Sequence, residues 1–364
     1  MPVFIRWAGD TRGQSRSRNS TRSADSTYVT DTQGPILHSR KYDGGGSGAV
    51  LGAAAGEVLA AGQDRVYGFL TQLNVITAYH LLRWGTVDPD RLGNSFAAFA
   101  FPERGFDVYR SAAPWFRAWL EEHRRGSPAP MPFENAGAAA RMVPIGVWFR
   151  KDPVALVDEA IRGAMITHNQ EGALVAACSL AGAVAGASFG QSGQDLVFGA
   201  AEVAKRAEAR IADVRGTVAP PAGSPPLSLL LRHSIPLVGM PFREVAEQIR
   251  SWTPNAAAVA GVVTSIVTGA PILERPSVGV REAVAIDFEP REVAVMTGAI
   301  VGARVGPHRW PWQIVNDLWF AELGRRLASM DARYEDLPDA YAVEEVLTFA
   351  GRSAQPAEPT GSDS

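Results

Sequence analysis

The chain has 364 residues, enough for one large or two ordinary domains with a sizeable apolar core. Its 35 basic and 38 acidic side chains nearly cancel, which excludes the electrostatic footprint of a nucleic-acid-binding protein. The single cysteine, Cys178, excludes an internal disulfide framework and a multi-cysteine zinc site and fits a reducing compartment, with the cytoplasm as the default.

Residues 1–45 carry Arg12, Arg16, Arg18 and Arg22 among Ser, Thr, Gln and Asn, a composition superficially like a transit peptide. They are read as a solvated flexible leader running into Gly44, Gly45 and Gly46. Glycines 44, 45, 46, 48 and 52 suggest a phosphate loop, but the Rossmann spacing is not met and no strand precedes them. From Asp107, the apolar positions Val108, Ala112, Trp115, Phe116, Trp119 and Leu120 predict an amphipathic helix. Its charged stop is Glu121 to Arg125, and Pro114 marks its true start or a kink. Asp152 and Pro153 read as a cap followed by proline at the first helical position. That helix buries Leu156, Val157, Ala160, Ile161 and Met165 and stops near His168 and Asn169.

A helix starting near Glu171 is apolar all round and belongs inside a bundle. The uncharged stretch Gly172 to Gln194 is long enough to span a bilayer, but its Ala and Gly content predicts a core helix and no membrane. Gly186, Ala187, Ser188, Phe189 and Gly190 satisfy the nucleophile-elbow pattern, which requires a strand before the serine. Helical residues precede this one, so the motif is read as a helix end. Segments 200–213, 241–251, 255–268, 290–304 and 312–328 also read as helices, and strand alternation is scarce. Pro220, Pro221, Pro225 and Pro226 mark a loop within one domain of residues 46–352, and residues 353–364 read as a flexible tail. No two of the six histidines have the i, i+4 spacing of a helical zinc site. Trp310, Trp312 and Trp319 are read as core residues, some sharing a helix face.

Five blocks, in order, resemble the ADP-ribosylglycohydrolase family. GAVLGAAAGEVLAAG at Gly48 to Gly62 is similar to the family's opening GALLGxAxGDALG, and GFDVYRSA at Gly105 to Ala112 to its FDIGxTT. GAAARMVPIGVWF at Gly137 to Phe149 resembles GAAMRxAPLGL, and the segment from Asp152 resembles the family's DPEAL and THPxPEA helix pair. GAIVGARVG at Gly298 to Gly306, followed by Trp310 or Trp312, resembles the helix after the family's last metal motif. The resemblance covers residues 46–328 and implies an all-α, compact orthogonal helix bundle. It also implies two Mg²⁺ or Mn²⁺ ions held among carboxylates, and hydrolysis of the N- or O-glycosidic bond that joins ADP-ribose to a side chain.

The metal motifs depart from that pattern. Aligned on Tyr67, the first puts Gly68, Phe69, Leu70 and Thr71 where Ser/Thr, Asp, Asp and Thr are expected. Counting back from Gly298, the second puts Glu289 at its first aspartate, Pro290 at a threonine, Arg291 at its second aspartate and Glu292 at its last threonine. Hydrocarbon cannot coordinate Mg²⁺. Arg291 can neutralise carboxylates without an ion and also suits phosphate. Other positions are kept. Asp107 stands at the FDIG aspartate, at a predicted helix start that favours its ionised form. Glu57 replaces the aspartate of GD, and Asp64 falls near a glutamate that gates the metals in the family.

The expectation is a family member that uses no metal cofactor and has lost dimetal hydrolysis. It would bind ADP-ribose, a nucleotide or an ADP-ribosylated protein through Arg291, Glu292, Thr71, Glu57 and Asp64. An alternative is a metal-independent glycosidase that uses Asp107 and Glu289 as its two carboxylates. A structural or assembly role is a third.

Overall fold

The computed structural model describes residues 44–61, 66–100, 109–126, 129–215, 225–271, 276–286, 288–310, 314–333 and 335–353. All lie in one of the two units into which the chain divides, Ser39–Ser364. The expected leader up to residue 43, Asp64, Asp107, Trp312 and the tail beyond residue 353 lie outside the described residues, as does most of the proline-rich loop.

The chain begins its described course with helix α1, Gly44–Ala61, and continues through α2, Phe69–Trp84, and α3, Pro89–Ala100. Gly85 ends α2 at φ +72°, its N–H bonded to the Leu81 carbonyl, a left-handed cap that glycine adopts without steric cost. α4 is Pro114–Arg124, α5 the short Gly137–Ala140 and α6 Val143–Trp148. α7 spans Pro153–Met165, and the Asp152 carboxylate accepts from the Val154 and Ala155 amides as its spacing predicts. α8, Glu171–Ser188, leads into α9, Gly193–Arg215, α10, Leu227–Ser234, and α11, Phe242–Trp252. Next come α12, Ala257–Gly269, α13, Pro276–Val284, and α14, Pro290–Val305. α15, Asp317–Ser329, and α16, Ala340–Ser353, are the last described helices. Among the described residues the only β pairing is an isolated bridge between Met131 and His168, so the fold is all-α.

Three local readings are settled by the structure. Gly44 and Gly45, expected as the last residues of the leader, belong with Gly46 to the first turn of α1, and Gly45 and Gly46 are buried, in keeping with the argument against a phosphate loop. Of the two readings of Pro114, true start or kink, the first holds: the amphipathic helix starts at Pro114, because proline supplies the helical φ of a first residue while Ser111, at φ +52°, interrupts any earlier start. Trp310 follows a 3₁₀ turn, Pro307–Arg309, and therefore shares no helix face with Trp319.

The glycines of α1 are contact residues. A Cβ on Gly48, Gly52 or Gly56 would lie 2.0–2.2 Å from the carbonyls of Gly302, Gly298 and Ala294 on α14. Glycine at every fourth position thus makes a stripe without side chains, along which two backbones touch. Gly46 meets Gly324 of α15 in the same manner. α8 is the centre of the bundle: Ala173 to Ala187 are all buried, against α5, α6, α7, α9, α12 and α14. It is long and apolar enough to cross a membrane, and its burial is that of a core helix. Ser188 closes it with its Oγ on the Val184 carbonyl, so the elbow-like motif is a helix end.

Candidate functional site

The two degraded motifs meet at the N-termini of α2 and α14. Phe69 is the first residue of α2, and the Arg291 guanidinium, in the first turn of α14, lies 5.7 Å from its ring centroid. Glu57, near the end of α1, is fully buried; its carboxylate accepts from the Leu70 amide at 3.1 Å and the Thr71 amide at 2.7 Å. α2 has no side-chain cap of its own, so Glu57 supplies the oxygens its first turn needs. The approach demands glycine beside it: a Cβ on Gly68 would be 2.6 Å from Glu57 Oε1. Burial raises the Glu57 carboxyl above its usual range, against the hydrogen bonds from Thr71 and Leu70 and the charge of Arg291.

Glu289 precedes α14 at φ +47°, a left-handed conformation unusual for glutamate. Its Oε2 accepts from the Ala136 amide at 3.1 Å, which ties α14 to the start of α5. Burial raises its carboxyl too. Glu292, one turn on and buried, is pushed up to about 7 by burial and by the charge of Glu289. Arg291 opposes both effects at Glu57 and Glu292 and donates to the Ser111 carbonyl at 2.5 Å.

An aromatic and polar rim continues from Phe69. Its ring stacks on Phe116 at 5.7 Å and meets the edge of Trp115 at 5.8 Å. Trp115 in turn covers Gly137, where a Cβ would come within 2.2 Å of Cζ2, and touches His168 at 5.0 Å and Phe133 at 5.9 Å between centroids. Arg141 donates to Thr167 Oγ1 at 2.6 Å, and Thr167 Oγ1 lies 2.7 Å from His168 Nδ1. Asn135 Oδ1 accepts from the Gly137 amide at 2.9 Å and lies 3.1 Å from His168 Nε2. One proton arrangement satisfies this chain. Arg141 donates to Thr167, Thr167 donates to Nδ1, and Nε2–H donates to Asn135. Burial, with the Arg141 charge, holds His168 neutral by lowering its pKa well below the usual value.

Glu57, Thr71, Glu289, Arg291 and Glu292 are thus brought together, whereas Asp64 and Asp107 lie outside the described residues. The helix-start argument for Asp107 fails, since α4 begins seven residues later. Asn135, Trp115 and His168 were not expected here; the available signals were Asn135, two residues before the GAAAR block that starts at Gly137, and Thr167–His168 in the segment matched to THPxPEA. A two-metal cage does not fit these residues. Phe69 and Leu70 stand fully buried at two of the aspartate positions, and Arg291 brings a cation to a third. Among the described residues, no three His, Cys, Asp or Glu side chains converge to hold a metal ion. A cavity of about 120 Å³ lined by Glu134, Glu171, Val175, Glu208, Leu227 and Val259 contains none of the expected site residues.

Fold and site together define an all-α protein whose buried carboxylates gather at apposed helix N-termini. A sequence model of the family ADP-ribosylglycohydrolase matches residues 46–337, and the chain belongs to that family. No curated protein matches it significantly. Among solved structures, 46 chains match; one, described as an ADP-ribosylglycohydrolase-related protein complex, is 19% identical with a TM-score of 0.55. The match covers 80% of this chain and 99% of that one, and supports the fold.

Proposed function

We propose that this family member binds ADP-ribose, or a nucleotide or protein carrying that chemistry, without dimetal hydrolysis. The observation that supports the reading is the burial of Phe69 and Leu70 where ion ligands would be required. Arg291 takes over the electrostatic task, its positive charge acting on Glu57 and Glu292. With one N–H on Ser111, its guanidinium retains donors for a diphosphate. Calorimetry with ADP-ribose, first in chelator and then in Mg²⁺, tests the proposal. Equal affinity in both, falling about tenfold or more in Arg291→Ala, is expected for loss of a charge-assisted contact. Strict Mg²⁺ dependence would overturn it.

The elevated Glu292 carboxyl beside Glu289 supports a second reading, a metal-independent glycosidase in which one carboxyl holds a proton near neutrality and another is ionised. ADP-ribose release from ADP-ribosyl-arginine or ADP-ribosyl-serine, abolished in Glu289→Gln and Glu292→Gln, supports this enzyme. Absence of turnover with either substrate removes it. A chain that neither binds ADP-ribose nor releases it would serve a structural or assembly role.

A further inference from the structure

α16 lies beyond residue 337, where the family match ends, yet it sends a carboxylate to the edge of the site. Glu344 is fully buried. It accepts from the Tyr67 hydroxyl at 2.7 Å and from Gln72 Nε2 at 2.8 Å, and pairs with the Arg110 guanidinium at 2.5 Å. All three partners flank the N-terminus of α2 or the turn that faces it. Burial and the adjoining carboxylate raise the Tyr67 pKa, so the phenol stays protonated as a donor.

Arg110 is held from several directions. Its Nε donates to the Tyr67 carbonyl at 2.8 Å, its amide to Gln72 Oε1 at 3.0 Å, and its own carbonyl accepts from the Phe69 amide at 3.0 Å. The next residue, Ser111, has φ +52° and offers its carbonyl to Arg291. A non-glycine residue in that region persists only where its surroundings over-determine it. Glu344 is the ionic anchor of those surroundings. Removing the Glu344 charge would leave the Arg110 guanidinium without the buried carboxylate that pairs with it, which is costly for a charge held at the edge of the core.

We propose that Glu344 is a positioning residue: α16 docks it on Tyr67, Gln72 and Arg110, which fixes the Arg110–Ser111 turn and, through the Ser111 carbonyl, the place of Arg291. The inference rests on the geometry of the site and not on the ligand it takes. α16 is therefore a clamp on the site, so its docking and the order of the turn rise and fall together.

Hydrogen–deuterium exchange on the full chain tests this. In Glu344→Gln, peptides covering residues 66–72 and 109–113 are expected to exchange tenfold faster or more, while α8 is unchanged. Leu347→Ala loosens α16 without removing the carboxylate and should deprotect the same two segments in proportion to the opening of α16. Combining Glu344→Gln with Arg291→Ala should raise exchange at 109–113 by less than the product of the single effects, because both act on one turn. Opening of α16 with unchanged exchange at 109–113, or multiplicative effects in the double variant, would overturn the proposal.

Discussion

Glu292 is a buried site carboxyl with a charged neighbour one turn away. Its carboxyl, ordinarily at 4.5, is pushed up to about 7 by burial and by Glu289. The folded chain therefore holds this proton more tightly than the unfolded chain does. The resulting stability is fully present below about 4.5 and is lost as pH rises through about 7. Urea unfolding between pH 4 and 8 should show the parent chain losing up to about 3 kcal/mol relative to Glu292→Gln across that window. Parallel profiles would show that burial does not penalise this carboxylate. Phe69, Leu70 and Arg291 could be read from the sequence, because a hydrocarbon or a cation at a ligand position is a change of chemistry visible in one letter. The Arg141–Thr167–His168–Asn135 chain could not. Its members are separated along the chain and meet only when α5 packs beside the end of α7.

At the scale of elements, the α1–α14 contact follows directly from sequence spacing. Gly48, Gly52 and Gly56 recur every four residues and so lie along one face, and Gly298 and Gly302 do the same on the facing helix. Gly52→Ala would put a Cβ 2.2 Å from the Gly298 carbonyl oxygen, and a rigid backbone atom cannot move aside as a side-chain tip can. The helices must part, and thermal or urea unfolding should show a loss of about 3 kcal/mol or more, at the upper end of overpacking costs. Gly190→Ala is a useful contrast, since it meets no neighbouring atom and is opposed only by its φ of +83°. Equal losses in the two variants would refute close packing as the reason for the α1 glycines. Of these, Gly48 and Gly52 also entered a loop-like pattern that the sequence argued against; a tertiary contact overrides the low helix propensity of glycine here. Pro114 worked in the opposite sense. The apolar period runs through it from Asp107, but proline and the positive φ of Ser111 place the helix start at residue 114.

Across the whole molecule, α8 is packed on every side, and it carries the chain's only cysteine. Cys178 is fully buried, and burial raises its thiol far above the ordinary range. Labelling needs both access and the thiolate, and the folded bundle withholds both. Local fraying cannot expose a residue in the middle of a central helix without displacing the helices around it, so reagent must wait for global opening. Alkylation at pH 8 should accordingly be negligible in native buffer and rise across urea at the same midpoint as the loss of helical circular dichroism. Coincidence of the two transitions is also a test of all-or-none unfolding. If Cys178 reacts readily before helicity falls, α8 opens separately from the rest. The helices that position Glu57, Glu289 and Arg291 would then not be held by one cooperative core, and the rigid placement of the site charges, which the proposed metal-independent binding requires, would fail with it.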